Sequence, residues 1–498
     1  MKPRELAAAA VVALAIGALL PYVTLALGFG PNTSLLATFF GLAATSAIGA
    51  RSRGALAASQ AAGVAAGQTA FMGTALAALE LLRRRGVLEL DLHLTPIVVF
   101  AWLAAAGALG LLAALPLRRH YIEDERLAFA AGAAAGEAIA MLDDRDCTGA
   151  PRRRDHRAFA LSLAGAAAAT VARAPLSPLG IGSGLLVGPR IAASIALGAA
   201  LAFALPARAA IGAATALLVA GGMTRAIVRL PSLARALACS WTWRAARGRW
   251  LAAAAGVAAL CAIDRLVLAT PVAATLVACA IAAPLVLVGT RVLGETNWAP
   301  VASLAAVAQA ALAVVVPGSA IANVVGSTVA AAIPNSAQHA MQSFRAAAHC
   351  GTRARDTAIA HVIGVLAGAA MLGVTFPLLV ARFGIGAGGL ASPLGVAWAN
   401  VTVAVTRGGD AIDLRAVAIG ACAGVALALG ESRATWLPSP VAVGIGLIVP
   451  WRFALAVGAG GAIDRTRLHR SPARVTVASG LVAGEALAAT LSALAGTL

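Results

Sequence analysis

Runs of apolar residues recur from one end of this chain to the other: Leu6–Gly28, Leu94–Leu117, Thr270–Val288 and Arg415–Gly430. Each approaches or exceeds the ~20 residues that a helix needs to cross the hydrocarbon of a bilayer. The first run alone could be read as a signal peptide, but many similar runs follow it. Only 12% of the 498 residues are charged and 60% are hydrophobic, whereas a soluble domain carries about 25% charged residues. These features predict an all-α fold, a polytopic transmembrane helical bundle. Dividing the apolar stretches at charged or Pro-rich breaks gives roughly 14–16 membrane segments.

The net charge of +18 lies between the apolar runs, as in Arg83–Arg85, Arg118–Arg119 and Arg152–Arg154. Short basic loops of this kind hold cytoplasmic segments in place, and no basic domain suited to nucleic acid is present. Arg83–Arg85 and Arg118–Arg119 flank what reads as a single span, so a re-entrant segment is expected somewhere. The six cysteines are dispersed without a CxxC pair, which predicts neither a disulfide framework nor a zinc site.

The phrase SPLGIGSGLLV begins at Ser177 and SPVAVGIGLIV begins at Ser439, at an offset of 262. In the same register Arg190 meets Arg452 and Gly198 meets Gly460. GALGLLAALPL from Gly107 faces GAAMLGVTFPL from Gly368, and ASQAAG ending at Gly63 faces IANVVG ending at Gly326. LVAGG at Leu218–Gly222 faces LVAGE at Leu481–Glu485. Four blocks in one order predict two homologous halves, 1–238 and 262–498, joined by a basic connecting segment, 239–261.

A duplicated membrane chain with paired, Gly/Pro-interrupted segments points to a secondary transporter. Pro178 and Pro440 each remove a backbone donor, and Gly182, Gly184, Gly444 and Gly446 loosen the helices around them. Freed backbone groups are tolerated at membrane depth only against protein or a watery cavity. These four glycines are therefore substrate-binding candidates, with close helix packing through small residues as the competing reading. Polar side chains within apolar sequence add Gln60, Asn323, Asn335 and Gln338 to the same set. Gln68, Thr69, His339 and Gln342 lie in the same two regions. His339, His349 and His361 lack the spacing of a metal site.

Acids at membrane depth are costly and commonly mark proton or substrate paths. Asp264 stands beside Arg265 and reads as a boundary ion pair. Glu137, Glu295 and Glu485 are the proton-coupling candidates; the competing explanation is pairing with a loop arginine for Glu137 and Glu485, and a solvated loop acid for Glu295. Asp143, Asp144 and Asp146 stand among arginines and read as a solvated loop. They do not suit the Asp-rich metal-diphosphate motifs of a membrane enzyme acting on lipid, the alternative class; a channel is a further one.

PLRRHYIEDERLAFAAGAAAGEAIAML (Pro116–Leu142) resembles the hallmark block of the oligopeptide transporter superfamily: a basic pair, Leu-x-Phe, a Gly/Ala stretch and a Glu. GETNWAPVASLAAVAQAALAVVVPGSAIANVVGSTVAAA (Gly294–Ala332) resembles its second-half block, and PSPVAVGIGLIVP with GEAL resembles its C-terminal one. The order matches across nearly the whole chain. The resemblance implies a proton-driven symporter of short peptides, or of metal chelates of the nicotianamine and siderophore type in the yellow-stripe-like branch. It maps the family's glutamates onto Glu137, Glu295 and Glu485. The chain departs from the pattern at Ala128-Phe129-Ala130, where Pro-Phe-Pro is common, and at Asn297, where many relatives have Gly. No Asn-Pro-Gly signature occurs.

The expectation is therefore a bacterial, multi-pass inner-membrane protein that is not an enzyme. Its partners would be a small-molecule substrate, protons and the lipid bilayer, with no nucleic acid and no cofactor; oligomeric state is left open.

Overall fold

The structure is a computed structural model. It describes all residues except 28–32, 89–93, 143–152, 240–242, 387–388, 408–412, 432, 435, 466–472 and 495–498. The aspartates at 143, 144 and 146 and part of the basic connecting segment lie outside the described residues.

The first half supplies α1 (Pro3–Leu27), α2 (Thr33–Ala47), α3 (Arg53–Phe71), α4 (Gly73–Arg84) and α5 (Pro96–Arg118). It continues with α6 (Ala130–Leu142), α7 (Arg153–Val171), α8 (Pro178–Val187), α9 (Pro189–Ala202) and α10 (Ala207–Val228). α11 (Leu230–Cys239) and α12 (Trp243–Leu266) lead to the second half. There follow α13 (Val272–Thr296), α14 (Val301–Val315), α15 (Ala320–Cys350), α16 (Ala354–Phe383) and α17 (Pro393–Arg407). α18 (Leu414–Glu431), α19 (Pro440–Ile448), α20 (Trp451–Asp464) and α21 (Ala473–Leu494) complete the chain. Taken in order, α1–α10 and α13–α21 correspond one to one, with α15 in the place of α3 and α4 together. α8 and α19 start 262 residues apart, as do α9 and α20.

This is the all-α polytopic bundle that the apolar runs predict. Among the described residues seven helices are long and apolar enough to cross a membrane, and six shorter apolar helices accompany them. The outward apolar side chains, such as Ile97, Val314 and Leu266, suit lipid rather than water. At the centre stand α3 and α15, buried on nearly every side.

The repeated phrase forms two short helical hairpins. Ser177 and Ser439 are the N-caps of α8 and α19, each side chain accepting from the N–H three residues on, and each is followed by Pro at the first helical position. Pro is unstrained there, because that N–H has no intrahelical partner. α8 has ten residues and spans about 15 Å, half of the ~30 Å hydrocarbon core. Gly188, at φ 88°, turns the chain into α9; an L side chain resists that left-handed conformation.

Close approaches fix the directions. α8 runs parallel to α20, with Gly180 against Ala456 and Gly184 against Val457. α9 runs antiparallel to α20, with Ala192 against Gly461 and Ala196 against Gly458. α9 is parallel to α19: Ser439 N donates to Ser194 Oγ at 3.1 Å, and Gly198 meets Val443. The hairpins α8–α9 and α19–α20 therefore interlock with opposite sense, α8 antiparallel to α19.

Candidate functional site

The interlocked hairpins wall one side of a cavity of about 470 Å³. α8 contributes Ser177, Leu179 and Ser183, and the α19–α20 bend contributes Ile445, Ile448, Pro450 and Phe453. Opposite them lie Gln68 and Phe71 of α3, Thr33 of α2, and His339 and Gln342 of α15. The α13–α14 link, Thr296 to Ser303, closes one side and Glu485 of α21 another.

Local chemistry explains each placement. α13 ends on Asn297 in the left-handed conformation, φ 60° and ψ 19°, which Asn tolerates and Gly favours. Its side chain accepts from Ala131 N at 2.9 Å and reaches Ser183 Oγ at 3.4 Å. Asn at this position therefore makes the turn and adds two polar contacts that Gly could not. Gln68 donates to Thr33 Oγ1 at 3.2 Å. His339 Nδ1 lies 2.9 Å from Asn335 O. A carbonyl can only accept, so Nδ1 carries the proton and the neutral ring offers Nε2 as an acceptor.

The three sequence-predicted glutamates occupy three different sites. Glu485 lies in the cavity wall, accepting from Ser177 Oγ at 2.9 Å and from Leu179 N at 2.8 Å. It thereby takes one of the orphan amides at the start of α8, where a carboxylate is favoured. Glu295 accepts from Ser439 Oγ at 3.0 Å and from Arg291 at 2.8 Å, one turn before it. Each Ser-Pro phrase thus holds a glutamate on its serine. Glu137 lies apart, 2.7 Å from His349 Nε2 and 3.4 Å from Thr476 Oγ1.

Arg291 is fully buried and also pairs with Glu125, which stands 3.0 Å from His120 Nε2. Beside this cluster Glu431 pairs with both Arg190 and Arg225. Sequence reading missed Glu125, Arg291, Glu431 and Arg225 as site residues. Arg291 within VLVGTRVLGET, four residues before Glu295, was the available signal. The partners across the bundle had none.

The remaining substrate-binding candidates sit elsewhere. A Cβ on Gly184 would lie 2.1 Å from Val457 O, and one on Gly446 would lie 2.1 Å from Ile195 O. Gly182 faces Ala478 O and Gly444 faces Ala214 O. All four serve helix contacts within intact helices, the packing arrangement, rather than presenting freed backbone to the cavity. The buried amides of Gln60 and Gln338 make no hydrogen bond to protein. Asn323 donates to Gln309 O at 2.7 Å and Asn335 to Gln68 O at 3.1 Å. Asn335, Gln68, Ser336 and His361 line a second, water-sized space of about 10 Å³. Asp264 accepts from Thr275 Oγ1 at 2.7 Å, not from its neighbour Arg265.

A family model described as OPT oligopeptide transporter protein matches residues 244–495, just over half of the chain. The chain belongs to the OPT oligopeptide transporter family. No curated protein matches it. OPT proteins are transporters and not enzymes. The matched segment covers α13, α15 and both α19 and α20, the elements that hold Glu295, His339 and the second hairpin. An OPT transporter built this way is an integral, multi-pass membrane protein.

Proposed function

We propose that this chain is a proton-coupled symporter of short oligopeptides or peptide-like compounds, set in a bacterial inner membrane and built from two duplicated halves. The observation that carries this reading is the cavity where the two hairpins meet, lined by groups that match a peptide's own. The amides of Gln68, Asn297 and Gln342 each offer donors and an acceptor, and Phe71, Trp298 and Phe453 offer apolar surface.

Coupling is best supported at Glu295. Arg291 is shared between Glu125 and Glu295, so two carboxylates compete for one guanidinium, and a proton taken up by Glu295 releases its hold on Arg291. Thr296 and Asn297, the next residues along the chain, line the cavity, so a change at Glu295 reaches the cargo through one turn of backbone. Glu137 and Glu485 are the other coupling candidates.

The test is uptake into proteoliposomes under an imposed pH gradient, with di- to pentapeptides offered beside iron and nickel chelates. Gradient-dependent accumulation of peptides is expected. Accumulation of chelates alone selects the metal-chelate alternative, and none in either gradient direction refutes proton coupling. Glu295→Gln is expected to keep substrate exchange at equal pH and to lose at least tenfold of the gradient-driven accumulation. Wild-type accumulation by that variant would remove Glu295 from the mechanism.

A further inference from the structure

Glu485 is the single carboxylate in the cavity wall, and among the described residues no lysine or arginine lines it. The positive end of the α8 dipole amounts to about +0.5 of a charge, so the full charge of Glu485 leaves the start of α8 net negative. Its Oε1 accepts only from Ser177, which leaves lone pairs for a ligand donor. The same cavity wall carries an aromatic pair: the Trp298 and Phe453 rings lie 5.6 Å apart and tilted by 57°. Phe453 packs on the first turn of α8, since a Cβ on Gly180 would meet its Cδ2 at 3.5 Å. His339 offers only an acceptor in its neutral form. A carboxylate beside aromatic faces, with no cation opposite, attracts a positively charged nitrogen.

We propose that the cavity holds the ammonium group of its cargo between Glu485 and the Trp298–Phe453 pair. The proposal rests on the transport reading above and assigns Glu485 to the cargo, leaving the Arg291 cluster to the proton. The favoured passengers are amine-bearing compounds such as peptides with a free N-terminus.

Binding to the full chain in lipid nanodiscs, by isothermal titration, tests this. The probes are trialanine amide, trialanine, N-acetyl-trialanine amide and N-acetyl-trialanine, with 3-phenylpropylamine and 3-phenylpropanol as a non-peptide pair. Trialanine and trialanine amide are each expected to bind at least tenfold tighter than their acetylated forms, and the amine at least tenfold tighter than the alcohol. Glu485→Gln brings the amine-to-alcohol ratio within twofold. Trp298→Leu, which keeps an apolar wall without the ring face, weakens the amine severalfold and the alcohol little, and it carries the test where Glu485→Gln does not fold. Equal binding of amine and alcohol, or a ratio that survives both substitutions, overturns the proposal while leaving peptide transport standing. Glu485-dependent binding of the amine with no peptide bound keeps the ammonium site and refutes the peptide reading. Binding of no probe at all refutes both.

Discussion

Gly184 and Gly458 lie on crossing helices, yet substitution by alanine is expected to affect them differently. A Cβ on Gly184 would meet the carbonyl oxygen of Val457 at 2.1 Å, whereas one on Gly458 would meet only the Ala196 methyl, at 3.4 Å. Backbone cannot swing aside as a side chain can, so Gly184→Ala must push two helices apart. We expect it to cost about 1–3 kcal/mol, the usual range for overpacking, and Gly458→Ala to be near neutral. Thermal unfolding of the detergent-solubilised protein reads the difference. Asn297 gives a second contrast: Asn297→Gly keeps the left-handed turn, whereas Asn297→Ala adds roughly 1–2 kcal/mol of backbone strain. Both lose the bonds to Ala131 and Ser183, so the difference between them isolates the strain. At this scale the sequence marked residues without their purposes. Gly184 stood out within the GxG of its phrase, but a glycine freeing backbone and a glycine admitting a neighbour read identically until the neighbour is known. Glu295 and Glu485 were legible as acids at membrane depth, while their serine partners lie 144 and 308 residues away.

The short helices show what the same phrase does as an element. Ser-Pro at its head reads as an interruption of a membrane span, and it is also the sequence of a helix start. α8 and α19 begin there because the serine caps the first turn and the proline fits its first position. The interruption and the cap are one feature, since the chain stops one helix by starting another. Ser177→Ala is expected to cost about 1 kcal/mol through the lost cap and to free Glu485 from its hydroxyl bond. Ser177→Thr should restore most of the stability, because threonine caps in the same way. A thermal shift for alanine that threonine does not recover would show that the hydroxyl acts through something other than the cap. Helix positions were thus largely readable from apolar runs, prolines and glycines. The hairpin fold of α8 and α9 was not, because the turn at Gly188 is set by packing on α20 and no local signal distinguishes it from a kink.

Across the whole molecule the two hairpins present similar ends to different surroundings. At the start of α8 lies the open cavity with Glu485 on Ser177. At the start of α19, in the corresponding position, Ser439 bonds Glu295, and beside it stand Arg291, Arg190, Glu431 and Arg225. One end is hollow and the other is filled with paired charge. At the offset of 262, Glu431 meets Ala169, Arg225 meets Leu487 and Glu295 meets Thr33. The repeated phrase was legible because small residues at these helix crossings keep its register. Which end is open was not, because the filling charges, Arg190 apart, occupy positions with no charged counterpart. A carrier must expose its cargo site to each side in turn, and interlocked hairpins of opposite sense supply two mouths for doing so. We propose that the cavity is one mouth and that the Arg190–Glu431–Arg225 group closes the other. Glu431→Gln removes the anion that holds two arginines together, so like charges repel and the closed mouth loosens. With the native cysteines replaced, a cysteine at Ser183 reports the cavity and one at Ser194 reports the charged end. In Glu431→Gln, labelling of Ser194→Cys by a membrane-impermeant maleimide is expected to rise severalfold from the side opposite the cavity, while labelling of Ser183→Cys falls. If both cysteines react as they do with Glu431 intact, the charged group is a structural brace and the second mouth lies elsewhere.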